Sequence, residues 1–263
     1  MQLADWLRCP HCHGELSHDG AALRCPSRHS FDVARQGYVN LLGRAAPHNA
    51  DTPGMLEARA RFLGTGLFDP VADAVAEPLQ GRRRIVEVGA GTAYYLAHAL
   101  DRHPAAQGLA TDVSVPAAKR AARAHERAHA VVADTWAGLP VRDGVADALL
   151  CVFAPRNPAE FERLVAPGGV VVVAVPTVNH LRELRAAHGL LDVAEDKAAT
   201  VAAAFPGWRS TAWTVEYPAH LDGPQATDLI AMGPNAFHDR PRIVDDISVT
   251  VSVTVVTLQR QAP

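Results

Sequence analysis

Four side chains near the start of the chain have the types and spacing to hold a metal. Cys9-Pro10-His11-Cys12 is followed, after twelve residues, by Cys25-Pro26-Ser27-Arg28-His29. Two tight ligand pairs, C-x2-C and C-x3-H, at a hairpin-sized separation are what a tetrahedral Cys3His zinc site requires. Three thiolates and one imidazole suit Zn2+ and leave no position open for catalysis, so the metal is expected to be structural. A Cys9–Cys12 redox pair is the rival reading, but no βαβ pattern surrounds it. His11, His13 and His18 read as solvated loop residues. The second stretch with chemistry in it runs from Arg84 to Tyr95. The apolar run Ile85 to Val88 breaks at Gly89-Ala90-Gly91, and an Ala/Leu-rich segment follows. That order spells strand, tight turn and helix start, a corner where backbone N–H groups can approach a ligand. A dinucleotide fingerprint fails there because its third glycine position is Tyr94. An ordinary strand-to-helix turn stays open.

The elements around these residues alternate. Strands are expected over Arg84–Val88, Gln107–Ala110, Ala130–Ala133, Ala146–Phe153 and Gly169–Val175, with helices at about 92–102, 115–127 and 158–165. Short apolar strands alternating with helices imply an α/β fold whose parallel sheet is covered on both faces. Ligands of such sheets lie beyond the carboxyl ends of the strands. Ile247, Val249, Val251 and Val253 alternate with Ser and Thr, which predicts a half-exposed antiparallel strand. Arg44 to Pro53 has no periodicity and reads as a linker or mobile loop. A helix follows, capped by Asp51 or Thr52, and a second is expected from Asp69-Pro70. The domains expected are a zinc-binding unit over 1–48, a linker with entry helices over 49–83, and the α/β domain over 84–263.

Composition narrows the classes further. The chain has 263 residues, 48% hydrophobic and 20% charged, with a net charge of −3. That is globular composition, and it argues against nucleic-acid binding by charge excess alone. Residues 1–48 carry five Arg against four Asp and Glu, so they form no polybasic arm. Lys119 to Arg127 and Arg82-Arg83-Arg84 are local basic clusters, read first as solvated surface and second as RNA-backbone contacts. Met1 to Trp6 lacks a signal-peptide pattern and no apolar run could span a bilayer, so a cytoplasmic location without membrane association is expected. Cys151, alone in an apolar strand, reads as a small buried hydrophobe.

Two resemblances sharpen the reading. The Glu87-x-Gly89-x-Gly91-Thr92 pattern resembles the first motif of class I S-adenosylmethionine (SAM) methyltransferases, a Rossmann-like fold. Cys-Pro-x-Cys, Cys-Pro-x-x-His and the run Phe31-Asp32-Val33-Ala34-Arg35-Gln36-Gly37-Tyr38-Val39-Asn40-Leu41-Leu42 together resemble the 23S rRNA guanine-N1 methyltransferases. That family includes macrolide-resistance enzymes of antibiotic-producing actinomycetes. The resemblance continues through Met55 to Leu63 and Pro176 to Leu184. It implies a SAM-dependent methyltransferase with a small N-terminal zinc domain. The substrate expected is a guanine in a 23S rRNA hairpin, and a homodimer is expected to build the RNA cleft. Phe68 and His180 match family positions that reach SAM. Asp112, ending the second strand, would accept from the ribose hydroxyls, and Asp134, ending the third, would reach the adenine amino group. Gly233 replaces a family Thr in the loop Met232 to His238.

The fourth strand runs into Ala154-Pro155-Arg156-Asn157-Pro158, where many methyltransferases meet the methyl acceptor. Arg156, Asn157 and His180 are the candidates for handling the N1 proton or a charge on O6, and none is singled out. Two other classes stay open: a small-molecule SAM methyltransferase with a structural zinc knuckle, and a non-catalytic zinc-containing RNA-binding protein.

Overall fold

The computed structural model describes residues 2–233, Ala236, Ile243 and 245–260. The N-terminal segment forms a three-stranded antiparallel sheet of β1 (Ser17–Asp19), β2 (Ala22–Arg24) and β3 (Ser30–Asp32). Strands of three residues bury too little to be stable by themselves. They borrow a core instead. Trp6, Leu7, Leu16 and Leu23 are buried in one cluster with Leu139, Val141 and Leu164 of the larger domain. Backbone bonds seal the junction: Arg8 N donates to Pro140 O and Arg142 N to Trp6 O.

The next strand, β4 (Tyr38–Asn40), leaves the small sheet and joins the large one, parallel to β7 (Ala128–Val132). The other strands of the large sheet are β5 (Arg84–Val88), β6 (Gln107–Asp112), β8 (Ala146–Val152), β9 (Val165–Pro176), β10 (Arg209–Leu221) and β11 (Ile247–Gln259). Their order is β10-β11-β9-β8-β5-β6-β7-β4, with β11 antiparallel to both its neighbours. Both faces are covered, by α1 (Pro53–Leu63), α2 (Asp69–Ala76), α3 (Tyr94–Arg102), α4 (Val115–Ala121), α5 (Pro158–Leu164), α6 (Arg182–His188), α7 (Lys197–Ala203) and α8 (Gly223–Ala231). Central strands are therefore apolar on both sides: Leu149 feeds one core cluster and the adjacent Leu150 the other.

From β5 the chain winds outward through β6 and β7, then returns to place β8 and β9 on the other side of β5. The winding reverses between β5 and β8, and in open α/β sheets ligands bind outside the carboxyl ends at such a point. Among the described residues no helix is long and apolar enough to cross a membrane.

Three expectations change. The helix expected over 115–127 stops at Ala121, and Arg127 is not solvated surface. Its guanidinium donates to the carbonyls of Leu100, His103, Pro104 and Ala106, tying the β6 entry together. Likewise Arg82 donates to Gly168 O and Arg84 pairs with Asp147. β11 is not half-exposed. It lies between β10 and β9, α6 and α7 pack against it, and Ser252 is fully buried. The Ser252 hydroxyl is satisfied by Thr177 at 2.6 Å and Glu216 at 2.7 Å, which is why a polar position survives inside the sheet. The 44–53 linker is tied down by three contacts: Arg44 to Asp134, Asp51 to Arg59, and Asp51 O to the Ser114 hydroxyl.

Candidate functional site

The zinc ligands come together as their spacing requires. One ligand atom each from Cys9, Cys12, Cys25 and His29 lies within 4.8 Å of all the others. Cys9 Sγ and Cys25 Sγ stand 3.4 and 3.3 Å from His29 Nδ1, and Cys12 Sγ is 3.5 Å from Cys25 Sγ. Zn–S bonds of about 2.3 Å and Zn–N bonds of about 2.0–2.1 Å give tetrahedron edges of about 3.5–3.8 Å, so the cluster fits zinc. The knuckle turns put His13 and Arg28 at positive φ, at 57° and 66°. His11 tilts against His29 and stacks on Phe31, outside the ligand set.

The carboxyl ends of β5, β6, β7, β8 and β9 assemble the second site. After β5 the backbone turns through Gly89 (φ 66°), Gly91 (φ 54°) and Ala93 (φ 57°) before α3 starts. A Cβ on Gly89 would stand 2.6 Å from Ala154 Cβ, so only glycine lets this corner close against the end of β8. A Cβ on Gly91 would collide with the Arg59 guanidinium. Asp112 ends β6 and accepts from Gly91 N and Ser114 N, both at 2.8 Å. Burial pushes its carboxyl up, and the two N–H donors pull against that. Thr92 is half-buried in the turn. Glu87 lies beneath the corner, 2% exposed, and accepts from Leu96 N in the first turn of α3 at 3.3 Å. Desolvation pushes its carboxyl up to about 8, with Asp112 nearby adding to the rise.

The other expected residues ring this corner. Phe68, 2% exposed, packs edge-on against Phe62 and His180. It stands at the N-cap of α2, while Asp69 accepts from the Tyr94 hydroxyl at 2.5 Å instead of capping. His180 Nδ1 accepts from Ser252 N at 3.2 Å, which assigns the neutral ring's proton to Nε2. Burial, then Arg185 and Lys197, pull its pKa down to about 4, so the ring is neutral at physiological pH. Its Nε2–H is a donor, and the one free lone pair is already used. Asn157 caps α5 through Glu160 N at 3.4 Å and donates to Thr135 O at 3.0 Å. Arg156 Nη1 donates to Ala154 O at 3.5 Å in the turn just before it. Cys151, its thiol pushed up to about 12 by burial, stands 3.5 Å from Ala154 O and Pro155 O. Of the loop Met232 to His238, residues Pro234, Asn235, Phe237 and His238 lie outside the described residues.

Two site residues escape a local reading of sequence. Arg59 lies beside Gly91, pairs with Asp51 and donates to Met232 O at 2.6 Å. Its signal is position: it stands four residues after Met55 and three before Phe62, on the buried stripe of α1. Arg44 pairs with Asp134, which also accepts from Trp136 N at 2.9 Å. Nothing local announces Arg44, because it arrives only through the parallel pairing of β4 with β7.

A glycine corner with no room for side chains, a strand-end carboxylate and a half-buried arginine beside the corner fit SAM, an adenosyl ribose joined to a methionine carboxylate. The Asp112 carboxylate would hold the ribose hydroxyls, and the Arg59 guanidinium the methionine carboxylate.

Glu87 titrates near 4.5 when unfolded and near 8 when folded. Its contribution to stability is therefore fullest below pH 4.5 and is lost as pH rises through 8. Urea unfolding from pH 4 to 9 should show Glu87→Gln gaining on the wild type across that window. A constant difference between the two proteins would contradict the assignment. Removing zinc with a chelator should unfold the small sheet, since metal binding in such modules supplies roughly 10–16 kcal/mol. The emission of the fully buried Trp6 should then shift to the red, and Cys25→Ser should fail to retain about one zinc per chain by elemental analysis.

Residues 7–44 match the family described as "RlmA, N-terminal", a zinc ribbon, and residues 86–173 match "Methyltransferase domain". A 23S rRNA (guanine(748)-N(1))-methyltransferase of Streptomyces fradiae is 42% identical, covering 90% of this chain and 87% of the other. A Micromonospora griseorubida protein, named in the 23S rRNA (guanine-N(1)-)-methyltransferase class, is 43% identical over 98% of this chain and 97% of its own. A SAM-dependent methyltransferase from Aquifex aeolicus overlays 80% of this chain and 98% of its own, with a TM-score of 0.50 at 13% identity, a likeness of fold. The shared zinc ribbon, the methyltransferase sheet and identities above 40% across nearly the whole chain make this protein a member of the 23S rRNA (guanine-N1)-methyltransferase family.

Proposed function

We propose that the protein transfers a methyl group from SAM to N1 of a guanine in a 23S rRNA hairpin loop. The observation that carries the reading is the pairing of near-full-length relatives of that class with a methyltransferase corner at the switch point between β5 and β8. Zinc is structural and stays out of the chemistry, because its four ligands leave no open position. Bound SAM supplies an electrophilic methyl on a sulfonium; the chain's task is to align it in line with the acceptor nitrogen.

Guanine N1 carries a proton that must leave as the N1–CH3 bond forms and the S–CH3 bond breaks. The three candidates for that work have different capacities. Arg156 stays charged and can stabilise negative charge on O6, but it cannot accept a proton. Asn157 is engaged at both ends of its amide. His180 Nδ1 already accepts from Ser252 N, which leaves its Nε2–H as a donor and no lone pair for the N1 proton. Water therefore takes the N1 proton, and catalysis rests on alignment and on Arg156 beside O6. The division 1–48, 49–83 and 84–263 is the working domain scheme, with β4 of the first unit completing the sheet of the third. An unpaired loop guanine is the cheaper target, since extrusion from a duplex costs a few kcal/mol. A cytoplasmic homodimer completes the reading.

Methyl on N1 blocks the Watson–Crick edge and stops reverse transcriptase. Primer extension on 23S rRNA lacking the modification should show one SAM-dependent stop, located in a hairpin loop. Asp112→Ala should weaken SAM binding by about ten- to a hundredfold through lost charge-assisted hydrogen bonds, and the stop should fade with it. A stop that persists unchanged in that variant would contradict the site, and no stop despite SAM binding would contradict the substrate.

A further inference from the structure

The six non-glycine residues with positive φ among the described residues are not scattered. His13 and Arg28 shape the zinc knuckles, Ala93 closes the glycine corner, and Leu181, next to His180, starts α6. Asp196 immediately precedes Lys197, and the sixth is Phe153 (φ 52°) at the end of β8. A bulky aromatic residue in the left-handed region is strained, and glycine or asparagine would serve such a turn better. The strain hides no ring, because Phe153 remains 41% exposed while its strand neighbours Cys151 and Val152 are buried.

Its surroundings explain what such a ring does. His180 stacks on one face, with ring centroids 5.9 Å apart and planes inclined by 22°. Tyr95 meets it edge-on at 6.3 Å. Both supporting rings are held by the scaffold: His180 by Ser252 N, and Tyr95 by burial in the first turn of α3. The ring is thus fixed from behind and presents its remaining face to solvent. That face stands beyond the carboxyl end of β8, next to the Ala154–Gly89 contact that closes the glycine corner. Arg156 follows Phe153 by three residues in the chain, and neither Arg156 nor Lys197 forms an ion pair among the described residues. Both lie within electrostatic reach of one another, and Lys197 of His180. A flat apolar face rimmed by unpaired cations suits a purine base with phosphates on either side.

We infer that Phe153 is the platform on which the target guanine stacks, with Arg156 beside its O6 and Lys197 taking a flanking phosphate. The inference rests on the rRNA reading above and names the residue that grips the base. Stacking explains why an aromatic residue occupies a position that local backbone chemistry disfavours.

The test uses full-length zinc-loaded protein, SAM and 23S rRNA lacking the modification, with single-turnover methylation read by primer extension. Phe153→Gly is the informative variant, since glycine accepts the left-handed backbone and removes only the ring. Its Tm should equal or exceed that of the wild type. Its methylation rate at subsaturating rRNA should fall between about 5- and 150-fold, the range expected for losing one base–aromatic stack. SAM affinity by calorimetry should stay within about threefold, and Phe153→Trp should recover most of the rate. A wild-type stop that Phe153→Gly makes at full speed would overturn the inference and leave the rRNA reading standing. A parallel loss of SAM affinity would also overturn it, by placing the ring's work on the cofactor side through His180. Absence of any stop with the wild type would bring down the rRNA reading and this inference together.

Discussion

The site depends on one close approach. Gly89 stands against Ala154 so tightly that a single methyl on its Cα would lie 2.6 Å from the Ala154 methyl. That contact draws the carboxyl ends of β5 and β8 together at the point where the sheet reverses its winding. Three consequences follow. The corner exposes Gly91 N–H to Asp112, α3 starts directly above Glu87, and Phe153 is forced into a left-handed turn as β8 gives way to Ala154-Pro155. A larger residue at Gly89 would separate the two strand ends and so disturb every group around them.

Electrostatics then divide the edge of the sheet into two halves. On the β6 and β7 side, Asp112 and Asp134 present carboxylates and the 44–53 segment answers with Arg44, while Asp51 holds Arg59 beside Gly91. On the β8 and β9 side, His180 is kept neutral by burial and by neighbouring cations, and Arg156 and Lys197 have no acidic partner among the described residues. A half lined by carboxylates suits the hydroxyls and amines of an adenosine. A half lined by cations suits an anionic nucleic acid. This local polarity reconciles an RNA substrate with a net charge of −3, because the charge that matters is that of one edge.

Local signals in the chain carried the architecture well. Cys9, Cys12, Cys25 and His29 are legible because metal geometry depends on short spacings that the sequence states outright. β5 ends where its apolar run does, because glycine punctuation is a backbone property. Asp112 was readable from counting strand ends. The misses have a common cause, which is long-range pairing. β4 has three residues and no distinctive pattern, yet its parallel partner β7 carries Arg44 to Asp134. The alternation of Ile247 to Val253 suggested a solvent face, but α6 and α7 cover it and Glu183 binds Thr250 N and its hydroxyl at 2.8 Å. The role of Arg127 reverses for the same reason: four carbonyls from another part of the chain converge on it.

The most direct test of this account is a crystal structure of the zinc-loaded protein with S-adenosylhomocysteine. The ribose hydroxyls should lie on the Asp112 carboxylate, the amino-acid portion along Gly89 to Gly91 with its carboxylate on Arg59, and the sulfur should point toward the open face of Phe153. A cofactor seated elsewhere, or one whose sulfur faces away from the end of β8, would contradict the claim that the switch point between β5 and β8 is where methyl transfer happens.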